Sequence, residues 1–440
     1  MKTICIASFI FISLFAKANF SMISSEKNNA SSSTSTRSQE KLNDSIKKQK
    51  DLRDIANAIF IRKKSPATEQ IETLSDSGFE IQPLVHPLIK SDSARKKPNK
   101  VLFAFFPAIG YALQTGVTGI VATNTSFYLG DADSTNMSSI AINPTRSFSY
   151  KQFMLPVIFN IWTNKNKLNF LGDWRYYRYP TYTYGLGGDT KLSDADWVNY
   201  SYIRIYQEAL KHLTSNFYAG MSYNLDYHYD IHETGSTGSD FQVYNGTKTK
   251  TISSGLSLNL LYDSRKNMNY PMSALYGNLT YRSNSVFLGS DQNWQSVQLE
   301  FKKYIKLSPR SNNVLAFWNL NWFTFGDKVP YFDLPSTGWD SYSNTGRGYI
   351  QGRLRGSGMA YLESEYRFGI TKNGLFGGVV FANAESVSEF QSYKFATIFP
   401  GAGAGIRIKL NKMSGANLAI DYGFGTNNSR GLFFNICEVF

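Results

Sequence analysis

From about residue 101 onward the chain reads in one rhythm, with apolar residues alternating with polar or small ones in runs of roughly ten. In GLSLNLLYDSR, Leu256, Leu258, Leu260 and Tyr262 fall on one side, and Ser257, Asn259 and Asp263 on the other. In SVQLEFKKYIKL, Val297, Leu299 and Phe301 alternate with Gln298, Glu300 and Lys302, and in ANLAIDYGFG, Leu418, Ile420, Tyr422 and Phe424 alternate with small or polar residues. GAGAGIRIKL puts Ile406, Ile408 and Leu410 on one face, with Arg407 and Lys409 on the other. Successive side chains of a strand point to opposite faces, so each run has one apolar and one polar face. Strands of soluble sandwiches are usually about five or six residues long. Runs of roughly ten with aromatic ends fit an all-β fold, a transmembrane antiparallel β-barrel with lipid outside and water within.

Sixteen strands are expected, an even number as bacterial barrels have. They lie near 102–112, 116–128, 138–148, 150–162, 167–178, 197–209, 215–229 and 253–263, then 273–285, 294–306, 313–325, 358–369, 375–385, 398–410, 415–424 and 430–439. With both ends of the barrel domain in the periplasm, the long connections 178–197, 229–253 and 325–358 share the outer side. Shorter turns such as SPRSN, KNG and KMSG face inward.

The preceding residues differ. MKTICIASFIFISLFAKANF has Lys2 ahead of an apolar stretch and then Ala16-Lys17-Ala18. This is the pattern of a secretory signal peptide over residues 1–18, cleaved after Ala18. Its apolar run is shorter than the roughly 20 residues that span a bilayer. Cys5 leaves with it and Cys437 stays alone, which excludes an internal disulfide. Residues 19–100 are rich in Ser, Asn, Lys and Glu and read as a polar periplasmic tether. They include one short helix, with Leu52, Ile55, Ile59 and Ile61 on one side of DLRDIANAIFIRKK. The chain carries a net charge of +13. In an exported protein, basic runs such as Arg95-Lys96-Lys97 read as solvated linker, with no nucleic acid partner. Residues 101–440 form the barrel domain, and a mean hydropathy of -0.30 excludes a bundle of membrane helices.

One loop stands out. GRGYIQGRLRG, residues 346–356, places four glycines and three arginines (Arg347, Arg353, Arg355) inside the long connection 325–358. Glycine permits the chain to turn back, and an arginine inside a barrel needs partners, for which a carboxylate suits its fork. Downstream, YLESEYRF puts Glu363, Glu365 and Arg367 on one face of the twelfth strand, with Leu362, Tyr366 and Phe368 facing lipid. The other reading of the loop is a basic surface facing anionic lipid.

Together these stretches resemble the BamA/TamA-type outer-membrane assembly superfamily, also called bacterial surface antigen barrels. The resemblance covers residues 101–440 and rests on an Arg-Gly-Tyr tip, Arg347-Gly348-Tyr349, between the eleventh and twelfth strands. It rests also on YDSRKNMNYP (262–271), with Asp263, Arg265 and Pro271 at the family's periplasmic turn, and on GLFGGVVFANAESV (374–387), RYPTYTYGLGGDT and GAGAGIRIKL. The resemblance implies that the loop folds back into the lumen and that its tip arginine meets acidic groups on the wall, here Glu363 or Glu365. Where the family carries Phe-x-Asp-x-Gly on the thirteenth strand, this chain has Phe381 to Glu385 with Asn383 in the acidic place, a latch partner that can accept from an arginine but supplies no charge, so a strong ion pair is not expected there. Phe440, an aromatic final residue, resembles the signal read by the assembly machinery, although Glu438 interrupts the outward register of Phe434 and Ile436. Residues 19–100 have the wrong composition for a polypeptide-transport-associated (POTRA) domain, so the chain resembles a subgroup without them.

Other chemistry is thin. His228, Asp230 and His232 share a face if the strand stays regular, but near a strand's outer end they read as exposed polar residues, and no metal site is expected. GAGAGIR lacks the helix that a dinucleotide loop needs; its glycines suit close approach of the loop. There is no G-x-S-x-G and no Ser-His constellation, so no enzyme and no cofactor are expected. The expected partners are outer-membrane lipid and nascent outer-membrane proteins or other envelope subunits. The leading expectation is outer-membrane protein insertion or translocation, with the seam between 102–112 and 430–439 as a lateral gate. The alternatives are a pore plugged by 325–358 and a structural subunit of an envelope complex.

Overall fold

The computed structural model describes residues 49–51, 54 and 101–440, apart from 132–133, 235–238, 310, 327, 342, 391, 411 and 413–414. The expected signal peptide and nearly all of the 19–100 tether, its short helix included, lie outside the described residues. Among these residues no helix is long and apolar enough to cross a membrane, which says nothing of spanning strands.

The described residues form eighteen strand segments. They are β1 (Leu102–Ala112), β2 (Gly116–Phe127), β3 (Ser138–Ile142), β4 (Thr145–Ser147), β5 (Phe153–Trp162), β6 (Leu168–Arg178), β7 (Thr181–Thr183), β8 (Asp196–Thr214) and β9 (Phe217–Glu233). After them come β10 (Lys250–Asp263), β11 (Ala274–Asn284), β12 (Trp294–Lys306), β13 (Val314–Phe325), β14 (Gly358–Gly369), β15 (Phe376–Val387), β16 (Phe399–Lys409), β17 (Asn417–Phe424) and β18 (Arg430–Ile436). Two pairs are single staves broken at a proline, which has no N–H for the ladder. β3 and β4 both lie between β2 and β5, on either side of Asn143-Pro144. β6 and β7 both pair with β8 across Tyr179-Pro180. Counted as staves these are sixteen, all antiparallel to their chain neighbours, and β1 comes round to lie beside β18.

Alternation sorts the side chains as the sequence implies. On β14, Tyr361, Glu363, Glu365 and Arg367 are buried while Leu362 between them is exposed. Ile109, Met221, Leu258 and Ile406 stand exposed on the outer face. The packed core is inside the barrel. One cluster joins Trp318, Tyr361, Tyr304, Leu354, Tyr349, Phe399 and Phe440; the other joins Tyr179, Tyr200, Tyr202, Phe241, Tyr331, Leu334 and Trp294.

Three expectations need correction. β8, β9 and β10 run past the limits read from the sequence, so the connection between β9 and β10 shortens and holds a helix, α1 (Asp240–Asn245), where none was expected. Ser239 caps it by accepting from the Gln242 N–H at 3.1 Å. His228, Asp230 and His232 do not share a face. Asp230 adopts a positive φ of 53° at a register shift against β8, so His228 is buried while Asp230 and His232 are exposed. Finally, β18 ends at Ile436 instead of running to 439. At Cys437 φ is 76°, and the chain turns into the lumen, where Glu438, Val439 and Phe440 are buried. An acidic side chain is costly against lipid, and here Glu438 finds a guanidinium.

Candidate functional site: the latch loop and its lumenal ion mesh

The loop between β13 and β14 folds back into the lumen and is held at its root and at its tip. At the root, Tyr331, Phe332 and Leu334 pack among the inward aromatics of β8 and β9, with Phe332 stacked on Tyr200 at 4.2 Å between centroids. His228, expected to be exposed, is instead buried and stacks on Tyr202 at 4.5 Å and 8°. Asp333 accepts from the Ser253 hydroxyl at 2.5 Å. Burial pushes this carboxyl up to about 7, with the Asp226 charge adding to the shift and Arg282 opposing it.

At the tip, Arg347 is buried and divides its fork among three carboxylates. One Nη donates to Glu363 and Glu365 on β14, and the other to Asp421 on β17 at 2.7 Å. Its guanidinium lies over the Phe381 ring at 3.8 Å. Two wall arginines extend the mesh. Arg367 Nε donates to Glu365 at 2.5 Å, and Arg407 donates to Asp421 at 2.5 Å and to Glu438 at 2.8 Å. Tyr361 donates to Glu363 and the Asn417 amide to Glu438. Three guanidinium groups thus meet four carboxylates with side chains 5% exposed or less. Groups so far from water are stable only when paired and hydrogen-bonded.

The approach is close because glycines face each other. Gly348 has φ of 111°, a region that favours glycine, and a Cβ on the wall residue Gly423 would come within 2.7 Å of the Gly348 nitrogen. Gly401, in the glycine-rich run expected to admit the loop, passes the Arg347 carbonyl; a Cβ there would lie 2.9 Å from it. Tyr349 completes the tip by donating to the Pro400 carbonyl at 2.6 Å and accepting from the Thr426 N–H at 2.9 Å.

The other expected residues find different partners. Arg353 donates to the Thr190 hydroxyl and carbonyl at 2.9 and 2.6 Å, and burial lowers its pKa below the usual guanidinium value. Arg355 donates to the Tyr331 and Leu334 carbonyls at 3.0 and 3.4 Å. These two tie the loop to neighbouring chain rather than to wall carboxylates. Asn383 acts as a donor, its Nδ2 reaching the Arg347 carbonyl at 2.9 Å, so it holds the tip's backbone and not its charge. Asp263 and Arg265 form a fork pair at 2.8 and 3.0 Å in the turn after β10, where Pro271 is buried. Phe440 lies inside the barrel, 5.3 Å from Trp318 between centroids, and its carbonyl accepts from Arg367 at 2.8 Å. Sequence reasoning missed Asp421 and the partnership of Arg407 with Glu438. The available signal was a charged residue on the inward side of each alternating run.

With that geometry established, the chain's kinship can be read. The Omp85 superfamily domain matches residues 138–438. The chain belongs to the Omp85 superfamily. No curated protein matches it. Among solved structures, BamA from Haemophilus ducreyi lacking POTRA domains 1–3 is similar at 15% identity and a TM-score of 0.51, over 77% of this chain and 70% of that one. CdiB from Escherichia coli is similar at 10% identity and a TM-score of 0.51, over 76% of this chain and 67% of that one. At such identities the likeness is one of fold: an outer-membrane-type Omp85 barrel.

Proposed function

We propose that this Omp85 barrel acts in outer-membrane protein insertion or translocation, without enzymatic chemistry, and that its moving part is the seam between β1 and β18. The observation that carries the reading is the state of that seam. β1 pairs in register with β2 and β18 with β17. Between β1 and β18 themselves the described residues offer side-chain contact, with Tyr111 and Phe434 at 6.1 Å between centroids, and no register ladder. A strand edge without its hydrogen bonds is a template for another strand. The latch loop fills the lumen beside the seam, which favours a lateral route over a water-filled axial one.

In this reading residues 19–100 are a periplasmic tether in place of a compact transport-associated domain, and residues 1–18 are an export signal. The partners are outer-membrane lipid around the apolar outer face and nascent outer-membrane proteins at the seam. Depleting the protein and quantifying the outer-membrane proteome tests this directly. A broad fall in other barrels is expected; an unchanged barrel population would sink the assembly reading and leave a plugged pore or an envelope-complex subunit.

A further inference from the structure

The segment that leaves the sheet at Cys437 is tied to the latch at several points. The Asn344 amide in the latch loop donates to the Val439 carbonyl at 2.7 Å. Arg407 joins Glu438 to Asp421, and Asp421 also accepts from Arg347. Arg367 joins the Phe440 carbonyl to Glu365, which Arg347 also holds. From the inner side, the Glu438 N–H donates to the Asn269 carbonyl in the turn after β10. Val439 and Phe440 fill the space between this mesh and Trp318 and Tyr304.

The same segment is what the lower seam lacks. Tyr111 lies beside Phe434, both on the outer face, and the Leu113 side chain lies against Gly431. An extended continuation of β18 from the Tyr111–Phe434 pairing would bring Phe440 opposite Phe105, both facing lipid. The inward turn leaves that half of the β1 edge without a partner from β18 and hides Phe440 in the lumen.

We propose that residues 437–440 are a wedge that couples the latch to the seam: while Arg347 holds its carboxylates the wedge is drawn inward and the periplasmic half of the seam is open, and when the latch lets go the wedge straightens onto β1 and closes it. The physical reason is shared partners. Glu438 and the Phe440 carbonyl are held by guanidinium groups that are themselves fixed by Asp421 and Glu365, and both carboxylates are fixed by Arg347. Removing Arg347 leaves those acids to compete for Arg367 and Arg407, loosening the inward position. The proposal concerns the position of β18, not what the seam admits, so it stands or falls separately from the assembly reading.

Two cysteine pairs distinguish the two positions in the full chain inserted in outer membrane, on a Cys437→Ser background. Asn344→Cys with Val439→Cys reports the wedge inside; Phe105→Cys with Phe440→Cys reports it against β1. With the latch intact the first pair should crosslink well and the second poorly. Arg347→Gln should reverse the preference several-fold. Gly423→Ala, whose added Cβ would lie 2.7 Å from the Gly348 nitrogen and push the tip off β17 with every charge kept, should shift it the same way. If Arg347→Gln gives no folded, heat-modifiable band, Gly423→Ala decides alone. Inner crosslinking that persists while the outer pair stays silent, in whichever of these variants folds, would overturn the coupling.

Discussion

Arg347 holds together groups that would otherwise repel. Glu363, Glu365 and Asp421 converge on it from two strands that are not neighbours, and all three are buried. Breaking a buried ion pair from one side typically costs about 3–5 kcal/mol, because the remaining charges are stranded. Arg347→Ala should therefore lower the temperature at which the folded band converts on a gel. Arg347→Lys should recover only part of it, since an ammonium is a point charge and cannot fork. An unchanged conversion temperature in the alanine variant would show that the mesh does not stabilise the barrel. Asp333 gives a second, pH-dependent prediction. Its carboxyl is raised above its unfolded value, so the folded loop root favours the protonated form. That contribution is complete below the ordinary carboxylate pKa and is lost as pH rises through about 7. Protection of residues 330–334 from hydrogen exchange, corrected for intrinsic rates, should fall between about pH 4 and 7, and Asp333→Asn should flatten that dependence. A wild-type profile that is already flat would count against it.

At the scale of elements, what the sequence displayed was periodicity, and what it withheld was contact between staves that are not adjacent. The strand positions follow from a side-chain period of two, so β12, β14 and β17 could be read directly from runs such as SVQLEFKKYIKL, YLESEYRF and NLAIDY. The pairing of Arg347 with Glu363 and Glu365 was legible because two acids share a face on the strand that follows the loop. Asp421 was not, since nothing local says that β17 meets the loop tip; that depends on how far the loop reaches across the lumen. Asn383 was read as an acceptor standing in for an acid, but the carboxylate role had passed to β17, leaving its amide to hold the Arg347 carbonyl. The extra length of β9 and β10 was hidden because their outer ends carry mixed polar and charged residues, as a strand does once it clears the bilayer, whereas β8 gains its length at the inner end, over 210–214. Glycine on the wall yields the prediction of this scale. Gly423→Ala should push the tip away from β17 and destabilise by about 1–3 kcal/mol, as overpacking does, because its Cβ would sit 2.7 Å from the Gly348 nitrogen. Gly369→Ala, whose Cβ meets nothing within 4 Å, is the matching control and should convert at the wild-type temperature. Equal behaviour of the two variants would remove close approach as the reason for the wall glycines.

Across the whole molecule, the lumen is occupied from both ends by the chain's own segments. The latch loop, tied to Thr190 through Arg353, fills the outer part. Residues 437–440 fill the inner part, bonded to the turn after β10 and packed on Trp318 and Tyr304. Both obstructions depend on the latch tip, because deleting 340–356 removes Arg347 and Asn344, which hold residues 437–440 inward. In planar bilayers that deletion should therefore raise conductance on its own, and removing 437–440 as well should add little. Deleting 437–440 alone, with the latch loop in place, should raise it little. A double deletion that conducts far more than the loss of 340–356 alone would show that the inner segment stays in the lumen without the latch, against the coupling. With both segments seated the axial path is closed. The seam, where among the described residues β1 and β18 touch without a ladder, is then the weaker boundary of the barrel.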